Sequence, residues 1–278
     1  IYQLLPRKNA RCVLCDDGNP GIANTAAAKL ITLGYSNVSV LGGGTRAWAA
    51  AGYSLFRGVN VPSKTLGELV EHACHTPRIT AQELARRQAA GENLVVLDGR
   101  PFAEYNRMNI PGGICCPNAE LPYRVSTLVP DPKTTIVVNC AGRTRSIIGA
   151  QTLINFGVRN PVVALENGTQ GWYLADFKLE KQATRRYPAA IDAKTLPSSR
   201  KSAQKLMQRF NMQEVSAEVV SQWLQDPTRT TYLCDVRTPE EFAQNGIPGS
   251  VHAPGGQLIQ ATDQWVAARH ARIVLIDG

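Results

Sequence analysis

Apolar β-branched runs alternate with helix-patterned stretches along this chain. Ile136-Val137-Val138 is an unbroken apolar run of strand length, and Ile147, Ile148, Leu153 and Ile154 follow it at helical spacing. Between them lies a Gly/Arg-rich turn, Asn139-Cys140-Ala141-Gly142-Arg143-Thr144-Arg145-Ser146, so Cys140 ends a buried parallel strand and opens a helix. The first 57 residues repeat the alternation: a strand, a helix over 24–33 stopped by Gly34, a strand over 37–41 and a segment over 45–51. Towards the other end the pattern predicts a helix over 217–224, a strand over 231–234, a Pro-Gly turn and a strand over 272–276.

These stretches are copies of one pattern. Leu41-Gly-Gly-Gly44-Thr-Arg-Ala-Trp48 falls on Leu165-Glu-Asn-Gly168-Thr-Gln-Gly171-Trp172 at an offset of 124 residues, which carries Asp16 onto Cys140. Asp235-Val-Arg237 falls on Asp98-Gly-Arg100 at an offset of 137, which carries Ile247-Pro-Gly249 onto Ile110-Pro-Gly112 and Asp277 onto Cys140. The chain thus reads as the second half of one repeat, a complete central repeat and the first half of a third. It begins without Met and inside a repeat, so the expectation is a fragment of a longer protein.

The turn after the central strand presents a thiolate to an anion. A helix start leaves backbone N–H groups without partners at the positive end of the dipole, and successive amides around one point form an anion nest. The thiolate is the nucleophilic form of cysteine, and fixed cationic charge nearby favours it. Arg143 and Arg145 provide such charge. Asp98 and Arg100 recur as Asp235 and Arg237 in a copy without the cysteine, so they are expected to form a structural ion pair at a strand end, with Glu104 in the same network. Trp48 and Trp172 recur likewise and read as packing aromatics.

In order, Asp98-Gly-Arg100 with Glu104-Tyr105, Ile110-Pro111-Gly112, the Cys140 loop and 165–172 resemble the rhodanese-like sulfurtransferase family over about residues 78–180. The resemblance implies a three-layer α/β/α fold with a central, mainly parallel sheet, in tandem repeats. It implies an enzyme that carries a persulfide on Cys140, formed from thiosulfate or a similar donor and passed to cyanide or a thiol. Ala141, Gly142, Arg143, Thr144, Arg145 and Ser146 are the implied substrate-binding loop, and no cofactor or metal is implied. Asn109 replaces a histidine common in the family and reads as surface variation. Related phosphatases have a loop one residue longer with Cys-x5-Arg; here the spacing is Cys140-x4-Arg145, which favours sulfur transfer over a Cys-dependent phosphatase. A sulfur-carrier or redox-sensing module with little small-molecule turnover is the other alternative.

The expected organisation is therefore 1–57 as the C-terminal half of a non-catalytic repeat, 58–77 a linker, 78–180 the catalytic domain, 181–212 a basic linker and 213–278 the N-terminal half of a further repeat. Each half-repeat exposes an open sheet edge, so the two are expected to join, within a chain or by self-association, into one rhodanese-like unit, or else to pack on the central domain. With Asp16 and Asp277 at the cysteine positions, neither flanking copy can hold a persulfide.

Composition changes this picture little. Of the net charge of +8, most lies between Lys181 and Arg209, where eight basic residues accompany Asp192 alone; with its Pro and Ser residues this reads as a solvated linker, and no aromatic platform accompanies it for nucleic acid. No apolar run approaches the roughly 20 residues of a membrane helix. Seven cysteines without a disulfide-framework spacing fit a reducing cytoplasm. Cys12-x-x-Cys15 within a strand cannot close on one metal, Cys15 is expected in the core, His72, Cys74 and His75 are too few for a zinc site, and Cys115-Cys116 are expected to pack.

Overall fold

A computed structural model describes residues 1–19, 21–56, 61–188, 190 and 193–277. They divide into two compact units, one of 1–61, 215–253 and 262–278, the other of 62–214 and 254–261.

The chain opens with β1 (Cys12–Leu14), α1 (Ile22–Thr32), β2 (Val38–Val40) and α2 (Gly44–Ala50). Then follow α3 (Val61–Cys74), β3 (Arg78–Ile79), α4 (Ala81–Ala89), β4 (Leu94–Asp98), α5 (Phe102–Arg107), β5 (Ile114–Cys115) and α6 (Leu121–Leu128). Next come β6 (Thr135–Asn139), α7 (Thr144–Phe156), β7 (Val162–Leu165), α8 (Gly168–Leu174) and α9 (Leu196–Arg209). The last stretch holds α10 (Ala217–Gln225), β8 (Thr231–Asp235), α11 (Pro239–Asn245), β9 (Val251–His252), α12 (Gly255–Gln260) and β10 (Arg272–Ile276).

In the central unit five parallel strands run in the order β3-β7-β6-β4-β5. β6 is the middle strand and all five of its residues are buried, as its continuous apolar run requires. Alternate side chains serve opposite layers. Ile136 and Val138 pack with Leu121, Val125, Ile147 and Leu153 on one face, while Val137 packs with Leu84, Val96, Ile110 and Trp172 on the other. The helices that cover the sheet start and stop on local signals: the Thr80 side chain accepts from the Glu83 amide to cap α4, and Gly157, at φ 84°, ends α7.

The other unit repeats parts of this sheet. β8 pairs with β10 and β9 as β4 pairs with β6 and β5, with Asp235 opposite Ile276 where Asp98 faces Asn139. β1 pairs with β2 as β6 pairs with β7, Leu14 facing Val40 where Val138 faces Ala164. Both self-offsets thus hold at the level of strand register. The terminal segments touch within the chain: Tyr232 donates to the Leu4 carbonyl at 2.7 Å and Arg7 to the Pro227 carbonyl at 3.0 Å. Among the described residues, however, β1-β2 and β10-β8-β9 remain separate sheets. β1 and β10 are the same element twice, and each takes that position beside its own partner. α12 belongs to the central unit, where it packs on α7.

Three expectations are corrected here. Of the linker 58–77, residues 58–60 lie outside the described residues, and 61–74 form α3. The basic segment 181–212 is not a free linker at its start. Cys115 donates its amide to the Arg185 carbonyl, Tyr187 donates to the Cys115 carbonyl and Ala183 is buried, so this stretch extends the central unit. Further on, the segment forms the helix α9; Asp192 lies outside the described residues. Cys15 is exposed because it lies just past the end of β1, whose Cys12 is the buried one. No helix among the described residues is long and apolar enough to cross a membrane.

Candidate active site

Cys140 leaves the buried end of β6 and is itself 1% exposed. Ala141, Gly142 and Arg143 make the turn, and α7 starts at Thr144 with no side-chain cap. The first two loop carbonyls are held by the start of α8: Thr169 donates its amide to the Cys140 carbonyl at 2.8 Å and Gln170 to that of Ala141 at 3.0 Å. This approach requires glycine at position 168. Its φ is +52°, and a Cβ there would lie 2.1 Å from the Cys140 carbonyl oxygen.

The loop amides are in the opposite condition. Among the described residues, none of the backbone N–H groups of 141–146 donates a hydrogen bond, whereas the next amide, of Ile147, closes on the Arg143 carbonyl at 3.2 Å. Six successive partnerless donors leading into a 13-residue helix, immediately after a thiol, are an arrangement able to hold an anion. Buried side chains hold this loop from behind. Ser146 Oγ lies 2.8 Å from the Arg143 carbonyl and 3.1 Å from that of Leu165, and Asn118 Nδ2 donates to the Arg145 carbonyl at 2.8 Å. Thr144 Oγ1 donates to the Ser63 carbonyl of α3 at 3.2 Å.

Both loop arginines have carboxylate partners, which spacing along the chain does not reveal. Arg145 makes a two-pronged pair with Glu104, 2.8 Å on each arm. Partial burial pushes the Glu104 carboxyl up, but the hydrogen bonds and charge of Arg145 outweigh it and hold the group below its ordinary value. Arg143 is paired with Glu68 at 2.8 Å and with Glu71, both on α3. The hydrogen bond to Glu71 raises the Arg143 pKa.

Glu104 hydrogen-bonds to the loop through Arg145, and its link to the Asp98–Arg100 pair is the charge of Arg100, which also lowers its pKa. Asp98 and Arg100 form a buried pair, with Nε at 2.8 Å and Nη2 at 2.7 Å, completed by Asn139 Nδ2 at 2.7 Å. Asp235 and Arg237 reproduce it at 3.0 and 2.7 Å beside a strand with no cysteine after it, as befits a strand-end clasp. Asn109 is also corrected: it is fully buried, and its backbone bridges Glu180. Trp172 is buried and donates to the Lys178 carbonyl, while Trp48 is 40% exposed and packs on Tyr53. Burial raises the thiol of Cys115 to about 12 and that of Cys116 well above its usual value, which suits packing.

A cavity of about 880 Å3 opens beside the loop, lined by Ala141 and Thr169 and by the largely apolar set Met108, Tyr173, Leu174, Phe177 and Leu179, with Lys178 and Lys181 also in its wall. Sequence reasoning missed Glu68, Glu71, Asn118 and Asn139. Among them only Asn139 was signalled, by its place directly before Cys140.

Comparison with known proteins bears on this geometry. The thiosulfate sulfurtransferase from Pseudomonas aeruginosa is similar in structure, with a TM-score of 0.96 and 48% identity over all of this chain and 53% of that one. The HTH-type transcriptional regulator Rv0324 of Mycobacterium tuberculosis is 35% identical over 105 residues, which are 38% of this chain and 45% of that protein. The chain thus spans about half the length of these relatives. A model of the rhodanese-like domain matches residues 80–175 and 216–278, the greater part of the sequence. With the motifs of the central repeat, its sheet and its cysteine loop all agreeing, the chain belongs to the rhodanese-like domain family.

Proposed function

We propose that this protein is a sulfurtransferase that moves a sulfane sulfur from thiosulfate, or a similar donor, to a thiophilic acceptor through a persulfide on Cys140. The observation that carries this reading is the run of six partnerless amides that follows the thiol. In the first half-reaction the Cys140 thiolate attacks the outer sulfur of thiosulfate. A sulfur–sulfur bond forms to Cys140, the donor's sulfur–sulfur bond breaks, and its electron pair leaves with sulfite. The persulfide that remains is anionic at its terminal sulfur, where loop amides stabilise negative charge. In the second half-reaction cyanide or a thiolate attacks that sulfur and returns the Cys140 thiolate. The cavity beside Ala141 gives an acceptor larger than cyanide room to approach. The similar Pseudomonas aeruginosa protein, a thiosulfate sulfurtransferase, supports the choice of donor.

Incubation with thiosulfate and cyanide should yield thiocyanate, and Cys140→Ser should yield none. Equal production by the variant overturns the reading. A second reading, a sulfur carrier loaded by another protein, is favoured by one observation: Arg143 and Arg145 are both paired with carboxylates, which weakens capture of a small free anion. It predicts a Cys140 persulfide, seen as a gain of one sulfur by mass, without sustained thiocyanate turnover.

A further inference from the structure

α3 brings two carboxylates to the mouth of the Cys140 loop that sulfur transfer does not itself need. Glu68 and Glu71 lie three residues apart, on one face of the helix, and both meet Arg143. The helix is pressed onto the first turn of α7. A Cβ at Gly67 would come within 3.0 Å of Thr144 Oγ1 and 3.1 Å of Thr144 Cα, and the Ser63 carbonyl accepts from Thr144 Oγ1. Glu71 also pairs with Arg78 at 3.1 Å, and Arg78 with Glu166 at 2.7 Å, so the carboxylate is held from two sides. Across the loop Arg145 is taken by Glu104. Three carboxylates thus face the two guanidinium groups that flank the nucleophile.

We infer that Glu68 and Glu71 are specificity-determining residues: by compensating Arg143 they lower the site's preference for dianionic sulfur donors and favour monoanionic ones of the organic thiosulfonate class. The inference rests on the sulfur-transfer reading. A thiosulfonate transfers sulfur by the same balanced step. The Cys140 thiolate bonds to the terminal sulfur, the donor's sulfur–sulfur bond breaks, and the pair leaves on a sulfinate. Because the donor bears one negative charge where thiosulfate bears two, it loses about half as much electrostatic attraction when Arg143 is neutralised. The glutamates act through Arg143 and touch no reacting atom, so they are positioning residues.

The test compares kcat/KM for thiosulfate and for methanethiosulfonate in the wild type, in Glu68→Gln, in Glu68→Gln/Glu71→Gln and in the charge-conserving Glu71→Asp. Persulfide loading of Cys140 is followed by mass. If removing one carboxylate raises the monoanion's rate constant by about threefold, the dianion gains about the square of that, so the thiosulfate-to-thiosulfonate ratio rises about threefold in Glu68→Gln. The double variant raises it further, Glu71→Asp keeps the wild-type ratio, and the increase shrinks as ionic strength goes from about 0.02 to about 0.5 M. Glu68 is largely exposed and has Arg143 as its ion-pair partner, so Glu68→Gln remains informative where the double variant fails to fold. An unchanged ratio in Glu68→Gln, or an equal loss for both donors that salt does not alter, overturns the inference while leaving sulfur transfer standing. Failure of both donors to load wild-type Cys140 overturns the sulfur-transfer reading and this inference with it.

Discussion

Glu104 shows how one side chain ties the fold to the loop. It starts from α5, reaches Arg145 on α7 with two hydrogen bonds of 2.8 Å and thereby fixes the guanidinium at the Cys140 loop. Its carboxyl is held below its ordinary value, so the folded state binds this proton less readily than the unfolded chain does. The stabilisation is then complete above the unfolded pKa, near 4.5, and is lost as pH falls through the lowered folded value. Glu104 keeps 41% of its side-chain surface in solvent, which screens the pair and limits its worth to about 1 kcal/mol or less. Glu104→Gln should lower stability at neutral pH by about that amount and flatten the acid limb of the stability curve, as read by thermal unfolding between about pH 3 and pH 7. A variant with the same acid limb as the wild type would show that Glu104 does not titrate with the fold. The sequence hid this residue's hydrogen-bond partner for a plain reason. Local reading couples Glu104 to Arg100, four positions away, whereas its hydrogen-bond partner lies 41 residues further on, brought near because α5 and α7 both start beyond the carboxyl ends of the adjacent parallel strands β4 and β6. The same limit hid Glu68 and Glu71, whose guanidinium partner is more than 70 residues away.

The strand–loop–helix element occurs twice, and the two copies divide structure from chemistry. In the first copy Thr45 donates its amide to the Asp16 carbonyl at 2.9 Å, as Thr169 does to Cys140, and Gly44 stands at φ +56° against +52° for Gly168. What differs is the occupant. Asp16 Oδ1 accepts from the Gly18 amide at 3.0 Å and Oδ2 from the Ala23 amide at 3.1 Å, so this loop holds its own carboxylate where the central loop leaves donors free. The motif that places Asp16 opposite Cys140 was legible in the sequence, because a constant offset of strands and glycines survives loss of the nucleophile. That the carboxylate binds the loop amides was not, since it depends on backbone direction. Asp16→Cys in a Cys140→Ser background is expected to form no persulfide with thiosulfate, because this loop carries no arginine in place of Arg143 or Arg145. It should also cost about 1–3 kcal/mol, since two charge-assisted hydrogen bonds are lost. Mass measurement of the thiosulfate-treated variant decides the first point, and a sulfur gained on the thiol introduced at position 16 would return the first repeat to the list of active sites.

At the scale of the molecule, a five-stranded sheet stands beside shorter sheets that repeat parts of it, and the same positions carry opposite burdens. Ile136 and Val138 on β6 are fully buried, flanked by β4 and β7 and covered by α7. Their counterparts Ile273 and Leu275 on β10 are 45% and 57% exposed, because among the described residues no helix is packed on β10 as α7 is on β6. Burial, not residue type, sets what each contributes. Removing a buried isoleucine side chain forfeits its transfer free energy and leaves a cavity, about 2–5 kcal/mol for truncation to alanine. An isoleucine already half in water has less to lose and leaves no enclosed void, so about 1 kcal/mol is expected. Ile136→Ala should therefore destabilise the central unit severely and abolish persulfide formation wherever it unfolds, while Ile273→Ala should leave Cys140 loading unchanged. Urea unfolding followed by far-ultraviolet circular dichroism, with Cys140 loading measured alongside, separates the two, and it must be fitted as more than one transition because the chain has two compact units. Equal losses from the two substitutions would mean that the face of β10 is covered in solution, and would make the half-repeats structural equals of the central domain.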